Sequence, residues 1–314
     1  MPCCPHPDGW VVRAQVWLGT LVEVALPTTD ANDARFAAAF AQIAHAHSTM
    51  SAHDASSDLA RIARAAHHGT VTVDTGTYAV LHLAQQLFRE SGGTFDVAMA
   101  PLLSRHGLLP PGVAGCTHDS GAPCGGMDAL HLEPGLSVRA TAPVALDLGG
   151  IAKGYAVDRA VDALRAAGAR AGLVNAGGDL RVFGADNWMP VRVRHPAAPA
   201  HALQLFEVRD AAVATSADYF RDGHRGLVDP RTQSLRPFSG SVTVVAPTCA
   251  LADALTKIVA LQPAESAAIL ARHGAHAFTI GGEDPRSGPQ RATACATTCA
   301  ATAANLRLPL AAAA

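Results

Sequence analysis

The pattern of hydrophobic and polar positions predicts strands interleaved with a few amphipathic helices. Residues 10–26 are rich in β-branched and aromatic side chains and are broken at Gly19-Thr20, which favours one bent strand or a pair of strands. Asp30 is predicted to cap one helix, and a second helix is predicted to start at Asp74 or Thr75. Further strand candidates lie in the second half of the chain, at residues 170–174, 180–183, 188–194, 202–208, 211–216 and 241–247. This order predicts a mixed α/β (α+β) fold in which mixed sheets are flanked by helices.

One stretch, residues 145–158, joins a hydrophobic run to a Gly-Gly turn and the start of a helix. Glycines let the backbone adopt unusual dihedrals and approach a ligand closely. A helix N-terminus attracts anions, and Lys153 adds a full positive charge. The stretch therefore fits a phosphorylated ligand, with Asp147 available for a donor or a cation. It fits equally well a buried strand and an amphipathic helix that ends at Gly168 and whose lysine is only solvated.

A second candidate site lies where a strand ends at Pro247 and a helix begins after Thr248. Asp253, Thr256 and Lys257 share one face of this helix because they are spaced i, i+3 and i+4. A carboxylate beside a hydroxyl suits a hard cation such as Mg²⁺. The same spacing also fits a surface ion pair between Asp253 and Lys257, and spacing alone favours the ion pair.

Residues 10–283 are predicted to form one folded domain that contains a long surface excursion and has a tail at each end. Residues 1–9 form an N-terminal tail. Residues 105–143, dense in Gly, Pro, His and Cys, form a long surface excursion. Residues 284–314 are Ala/Thr-rich without periodicity and are expected to be a disordered tail that does no chemistry.

Composition and charge limit the classes of function that fit the chain. Hydrophobic residues make up 49% of the chain and charged residues 16%, which is typical of a globular protein. The formal net charge of −2 gives no electrostatic case for binding nucleic acid or an anionic membrane. No hydrophobic run reaches the length of a transmembrane segment, and residues 1–9 lack a secretory signal, so the chain as written is expected to be cytoplasmic, or periplasmic if a leader was removed. Cys116, His118 and Cys124 could ligate a metal, but ordinary thiols are the better interpretation.

Several common catalytic motifs are absent from the sequence. There is no G-x-G-x-x-G that opens a helix after a strand, no G-x-x-x-x-G-K-[ST], no H-E-x-x-H and no G-x-S-x-G. These absences disfavour Rossmann dehydrogenases, P-loop ATPases, zincins and α/β-hydrolases. What remains is the Gly-Gly/Lys turn, which tolerates a phosphate, and the candidate Mg²⁺ face on another helix.

Eight short motifs follow one another in an informative order. They are Leu18-Gly19-Thr20, Met50-Ser51, and residues 91–97, 147–158, 175–179, 214–216, 228–232 and 241–255. Any one of them is weak, but the ordered set is specific, above all Asp147-x5-Lys153-Gly154-Tyr155 followed by Asn175-x-Gly-Gly-Asp179. This set resembles the FAD:protein FMN transferases of the ApbE family over about residues 10–281.

The resemblance implies an ApbE-like flavin transferase fold and an enzyme that uses FAD as a substrate with Mg²⁺. Such an enzyme transfers FMN to a Ser or Thr hydroxyl of a partner flavoprotein and releases AMP. This activity implies that the two stretches fold together around one dinucleotide diphosphate. By position, the metal would be held by the carbonyl of Gly150 and the side chains of Asp253 and Thr256, and the catalytic residues would be Asp253 and Lys153. The FAD site would be lined by Leu18, His53, Thr94, Phe95, Asp96, Asp147, Lys153 and Val228.

The chain departs from the family's pattern at three places. Lys257 stands where the family usually has a metal-ligating Thr, and its charge would tend to expel the cation or to take its place, although Thr256 could supply the lost oxygen. Gly226 stands where the family has a His, and His224 is close but out of register. The family's methionine and aromatic flavin contacts are also replaced, by Leu18 and His53.

Two alternatives to flavin transfer stay open. The same site could act as an FAD pyrophosphatase that gives FMN and AMP, with water as the nucleophile. It could also be a non-catalytic FAD-binding protein in which Lys257 occupies the place of the metal and FAD stays intact.

Overall fold

The structure is a computed structural model that describes residues 8–65, 69–110, 124–184, 188–196, 198–217, 226–238, 240–281, 293–295 and 305–308. The chain divides into two compact units. Unit 1 comprises Met1–Ile43, Lys153–Arg221 and Phe238–Ala314, and unit 2 comprises Ala44–Ala152 and Asp222–Pro237.

The described residues form seven α-helices and sixteen strands. The helices are α1 Asp33–Met50, α2 Asp58–Ala65, α3 Thr75–Glu90, α4 Ala100–Arg105, α5 Ala152–Ala166, α6 Cys249–Leu261 and α7 Ser266–Arg272. The strands are β1 Trp10–Trp17, β2 Thr20–Pro27, β3 Thr70–Thr72, β4 Leu130–Glu133, β5 Ser137–Ala140, β6 Gly172–Ala176, β7 Asp179–Phe183, β8 Met189–His195, β9 Ala198–Val208, β10 Ala212–Ala217, β11 Leu227–Asp229, β12 Ser234–Arg236, β13 Gly240–Ala246, β14 His276–Gly281, β15 Thr293–Cys295 and β16 Leu306–Arg307. This mixture of helices and sheets confirms the predicted fold class.

Unit 1 is built on an eight-stranded sheet in the order β1-β2-β6-β7-β10-β13-β14-β15, with a three-stranded sheet β16-β9-β8. Alternate residues of the large sheet enter two different hydrophobic clusters, as the period of a strand requires. One cluster joins it to the small sheet, where the rings of Phe206 and Phe278 stack with centroids 4.7 Å apart. The other joins it to α1 and α5 through residues such as Phe40 and Leu164. The core of unit 1 therefore lies on both faces of one sheet.

The first hairpin of unit 1 decides between one bent strand and a pair of strands. β1 and β2 pair antiparallel from Trp10–Pro27 to Trp17–Thr20, so residues 10–26 form a pair of strands and not one bent strand. Leu18 and Gly19 connect them with φ of 55° and 72°. Two successive residues with positive φ match the right-handed twist of a tight hairpin.

Unit 2 contains the sheet β3-β5-β4 and the hairpin β11-β12. Helix α3 lies along β4, where the Tyr78 hydroxyl donates to the carbonyl of Glu133 at 3.0 Å and the Gln85 amide donates to that of Leu130 at 2.7 Å. The helix begins after Asp74, whose carboxylate accepts from the Gly76 N–H at 2.7 Å, and ends before Gly92, which has a φ of 58°. Both ends agree with the sequence-based expectation.

No described helix is both long and apolar enough to cross a bilayer.

Two segments expected to lack regular structure contain strands. Within the predicted excursion of residues 105–143, β4 and β5 pair, and Leu130 and Val138 are fully buried. Within the predicted tail of residues 284–314, β15 pairs with β14 and β16 pairs with β9. These predictions were wrong because strands of two to four residues are too short to show periodicity, and they are held by backbone pairing. Three segments lie outside the described residues: residues 1–7, residues 111–123, which include Cys116 and His118, and the rest of the tail.

Three local expectations also need correction. Residues 145–148 are not a strand, although Ala145, Leu146 and Leu148 are buried; the N–H of the half-buried Asp147 donates to the carbonyl of Val97 at 2.8 Å. Gly149 and Gly150 are not among the described glycines with positive φ, so no unusual dihedral explains the pair. Asp30 does not cap α1, because its carboxylate accepts from the N–H of Arg170 at 2.7 Å.

Candidate functional site

Helices α5 and α6 of unit 1 bring together two charged residues that are a hundred positions apart in the chain. Lys153 is the second residue of α5, and its Nζ lies 3.3 Å from Oδ2 of Asp253 on α6. The same Nζ lies 2.6 Å from Oδ2 of Asp179, the first residue of β7. The expectation that the two stretches meet is therefore confirmed for Lys153 and Asp253.

A second lysine completes this group. Lys257, one turn after Asp253 on α6, contacts Oδ1 of Asp253 and donates to its backbone carbonyl at 3.0 Å. The Asp253 side chain is 1% exposed, so the ion pair that the spacing favours exists but is buried and not on the surface. We call Lys153, Asp179, Asp253 and Lys257 the lysine–aspartate cluster. In their ordinary ionised forms its two cations and two anions balance.

The charges within the cluster shift the pKa values of its members. Burial opposes the charge of Lys153, but the carboxylates of Asp179 and Asp253 outweigh it and raise its pKa. Burial likewise opposes ionisation of Asp253, but the two ammonium groups outweigh it and lower its pKa. Burial, together with the neighbouring Asp253 carboxylate, raises the pKa of Asp179 to about 6. The cluster therefore holds one firmly ionised carboxylate between two ammonium groups, with a second carboxylate that is easier to protonate.

Helix α6 is fixed against α5 by a close contact and a cap. A Cβ on Gly154 would lie 2.2 Å from the carbonyl oxygen of Cys249, so only glycine allows this approach. The two carboxylate oxygens of Asp158, one turn further along α5, each accept a backbone N–H at 2.9 Å, from Cys249 and Ala250. Arg181 pairs with the same carboxylate at 2.7 Å. Because these N–H groups belong to the first turn of α6, Asp158 sets the position from which Asp253 reaches Lys153.

Two turns place Asp179 beside the hairpin that carries Leu18. Gly177 has a φ of 61°, and a Cβ there would lie 2.4 Å from Oγ1 of Thr20. Its N–H donates to the carbonyl of Leu21 at 3.2 Å. The motif of residues 175–179 therefore packs against the Leu18-Gly19-Thr20 turn, and Leu18 is partly buried beside α1 and α5.

In unit 2, the loop of Thr94, Phe95 and Asp96 meets the segment of Asp147. The Phe95 N–H donates to the hydroxyl of Ser91 at 3.0 Å, and the Ala98 N–H donates to the carboxylate of Asp96 at 2.7 Å. The backbone hydrogen bond from the N–H of Asp147 to the carbonyl of Val97 joins the two segments. Burial raises the pKa of Asp96 despite the backbone donors. These four predicted FAD-binding residues are thus neighbours along two joined segments.

The other predicted residues of unit 2 are placed as follows. His53 is exposed, Gly150 lies in the turn before α5, and Val228 is buried on β11 opposite Leu235. The motif of residues 228–232 reaches the motif of residues 91–97, because the Arg231 side chain lies beside Gly93.

Gly226 offers no room for the histidine of the family. Its φ is 151°, and a Cβ there would lie 2.4 Å from the carbonyl oxygen of Arg236. His224, the nearby alternative, lies outside the described residues.

The residues around Asp253 do not fit Mg²⁺ as the family's pattern requires. Both carboxylate oxygens already face ammonium nitrogens, of Lys153 and Lys257. The Thr256 hydroxyl donates to the carbonyl of Asp253 at 2.6 Å. It also forms a hydrogen bond of 2.7 Å with the Ser216 hydroxyl. Mg²⁺ needs oxygen ligands with available lone pairs, and two adjacent ammonium groups repel it. Among the described residues, no three His, Cys, Asp or Glu side chains are grouped to hold a metal.

The structure gives roles to three residues that had none from the sequence alone, Asp179, Asp158 and Ser216. Asp179 ends the specific motif of residues 175–179, so the signal for it was present. Asp158 lies in the stretch of residues 145–158, but nothing in the sequence says that its partner is the N-terminus of a helix ninety residues later. Ser216 ends the motif of residues 214–216, but nothing in that motif says that its hydroxyl meets the hydroxyl of Thr256.

Comparison with known proteins identifies similar chains. The model of the ApbE family matches residues 18–279. An FAD:protein FMN transferase of Vibrio cholerae is 30% identical over 225 residues, which are 66% of this chain and 66% of that protein. One of Rhodobacter capsulatus is 36% identical over 207 residues, 58% of this chain and 38% of its own length. The chain therefore spans about two thirds of the first relative and less of the second.

Solved structures of the same family share the fold. The flavin transferase ApbE of Vibrio cholerae has a TM-score of 0.76 at 24% identity, with 92% of this chain and 97% of that chain covered. The ApbE protein of Thermotoga maritima has a TM-score of 0.75 at 23% identity, with 90% and 97% covered.

Proposed function

The chain belongs to the ApbE family, and we propose that it transfers FMN from FAD to a Ser or Thr hydroxyl of a partner flavoprotein and releases AMP. The names of the similar Vibrio cholerae and Rhodobacter capsulatus proteins support this activity. The motifs that carry the likeness fall within the matched residues 18–279.

The observation that carries the proposal is the buried lysine–aspartate cluster. In the proposed reaction the acceptor oxygen bonds to the FMN phosphorus, the bridging P–O bond breaks, AMP leaves with the electron pair, and the hydroxyl proton is released. Negative charge grows on the leaving phosphate, and positive groups held in place stabilise it. Lys153 and Lys257 are cations of this kind, fixed by Asp253 and only partly exposed.

Residues from several of the motifs would bind FAD, Lys153 among them. We assign this role, by family position, to Leu18, His53, Thr94, Phe95, Asp96, Asp147, Lys153 and Val228. Because the donors around Asp253 do not fit Mg²⁺, the proposed reaction is written without a metal step, and Asp253 is given the role of holding the two ammonium groups.

The test is an incubation of the purified chain with FAD and a fragment of an acceptor flavoprotein. Intact-mass spectrometry should show that the fragment gains the mass of FMN, and chromatography should show an equal amount of AMP. The same fragment with its acceptor Ser or Thr changed to Ala should gain nothing. Lys153→Met should abolish the transfer, whereas Arg105→Met, at an exposed position on α4, should leave it unchanged.

Two results would replace the proposal with its alternatives. AMP and free FMN without labelled acceptor would identify an FAD pyrophosphatase. Intact FAD that stays bound through purification, with no AMP formed, would identify an FAD-binding protein without turnover.

A further inference from the structure

The Asp253 carboxylate has one of the protein's own cations at each oxygen. Lys153 lies at Oδ2 and Lys257 at Oδ1, and the Gly154 N–H also donates to Oδ2 at 3.4 Å. A carboxylate that is 1% exposed and contacted on both oxygens has little left to offer a metal ion.

These two residues are the only lysines in the chain. The sequence has 24 Lys and Arg residues, and all others are arginines. An ammonium is a compact charge with three donors, whereas a guanidinium is planar and rigid. Lysine is thus used only where both side chains meet one buried carboxylate, which indicates that a compact cation is required there.

We propose that the Lys257 ammonium takes the place of a divalent cation at Asp253, so that the lysine–aspartate cluster binds the diphosphate of its ligand without metal. Two of the three Lys257 donors go to Asp253, and the side chain is 22% exposed, so a phosphate oxygen can reach the third. The cluster is balanced without an added ion, and a divalent cation would place two further positive charges beside two ammonium groups. The identity of the ligand as FAD rests on the proposed function; the exclusion of metal does not.

The direct test uses the two lysines as reporters. A chain labelled with ¹³C at lysine Cε gives signals from Lys153 and Lys257 alone. Millimolar Mg²⁺ should leave both signals unmoved, and FAD in the presence of EDTA should shift them. A Mg²⁺-induced shift that disappears in Asp253→Asn would overturn the proposal, as would FAD binding that Mg²⁺ strengthens more than about tenfold.

Two variants test whether the ammonium is what excludes the metal. Lys257→Thr supplies an oxygen in its place, and Lys257→Met removes the charge without adding an oxygen. Calorimetry should show Mg²⁺ binding to Lys257→Thr at least about 100-fold tighter than to the wild type, and adding Asp253→Asn should abolish it. Lys257→Met should show a smaller gain. If neither variant binds Mg²⁺ better than the wild type, the proposal is wrong.

These measurements separate the two proposals. The lysine signals need no turnover, so they decide on the metal even if no acceptor is ever labelled. Conversely, flavin transfer that EDTA abolishes and Mg²⁺ restores would overturn the metal-free cluster and leave the proposed function standing.

Discussion

Replacing Gly154 with Ala should destabilise unit 1 by about 2 kcal/mol. The new Cβ would lie 2.2 Å from the carbonyl oxygen of Cys249 and 2.7 Å from the nitrogen of Ala250. Both are backbone atoms of α6, so no side-chain rotation relieves the clash. Overpacking of this kind costs about 1–3 kcal/mol and sometimes more. A 2.2 Å clash with backbone atoms belongs at the upper end of that range, about 3 kcal/mol. The higher helix propensity of Ala returns about 1 kcal/mol, which leaves a net loss of about 2 kcal/mol.

Urea unfolding followed by circular dichroism measures this loss, and Gly69→Ala is the matched control. A Cβ on Gly69 would meet nothing within 4 Å, so that variant should match the wild type or gain a few tenths of a kcal/mol. Displacement of α6 should also lengthen the distance from Lys153 to Asp253 and weaken FAD binding. A Gly154→Ala protein as stable as the wild type, with an unchanged urea dependence, would refute the tight contact between α5 and α6.

Three further outcomes are expected. Asp158→Asn should lower the free energy of unfolding by about 3 kcal/mol in urea titrations, because the mostly buried Arg181 loses its anion; a loss below about 1 kcal/mol would contradict this role. Phe206→Ala should cost about 3–5 kcal/mol, since the ring is fully buried against Phe278. The raised pKa of Asp179, about 6 in the folded state, means that the native protein binds more protons than the unfolded chain between about pH 4 and 6. Its contribution to stability is therefore present at pH 4 and lost by pH 6–7, and Asp179→Asn should flatten this part of the curve of melting temperature against pH.

Much of the framework could be predicted because long elements carry a strong periodic signal. Helix α3 has a capping Asp74 at one end and Gly92 at the other, and both signals are local. Strand β15 carries no such signal. It is three residues long and pairs with the backbone of β14, so no pattern within residues 284–314 could reveal it.

The candidate site could also be predicted only in part from the sequence. Lys153 and Asp253 could be selected from local motifs, and their meeting could be expected from the diphosphate they are thought to share. The spacing of Asp253 and Lys257 also favoured an ion pair, but spacing says nothing about burial. Asp253 becomes inaccessible in the packed fold, where α6 lies against β10 and β13 and Lys153 of α5 covers the carboxylate. This burial turns an ordinary surface pair into a charge cluster that competes with a metal.

The late strands affect how the protein can be shortened. A chain cut at residue 283, where the folded framework was expected to end, would lose β15 and β16 and leave unpaired backbone groups on β14 and β9. Uncovered strands of that kind recruit other chains, and β1, at the far side of the large sheet, already presents the exposed Val16. Trimming the apparently featureless end would therefore favour aggregation during expression, although it removes none of the residues assigned to the site.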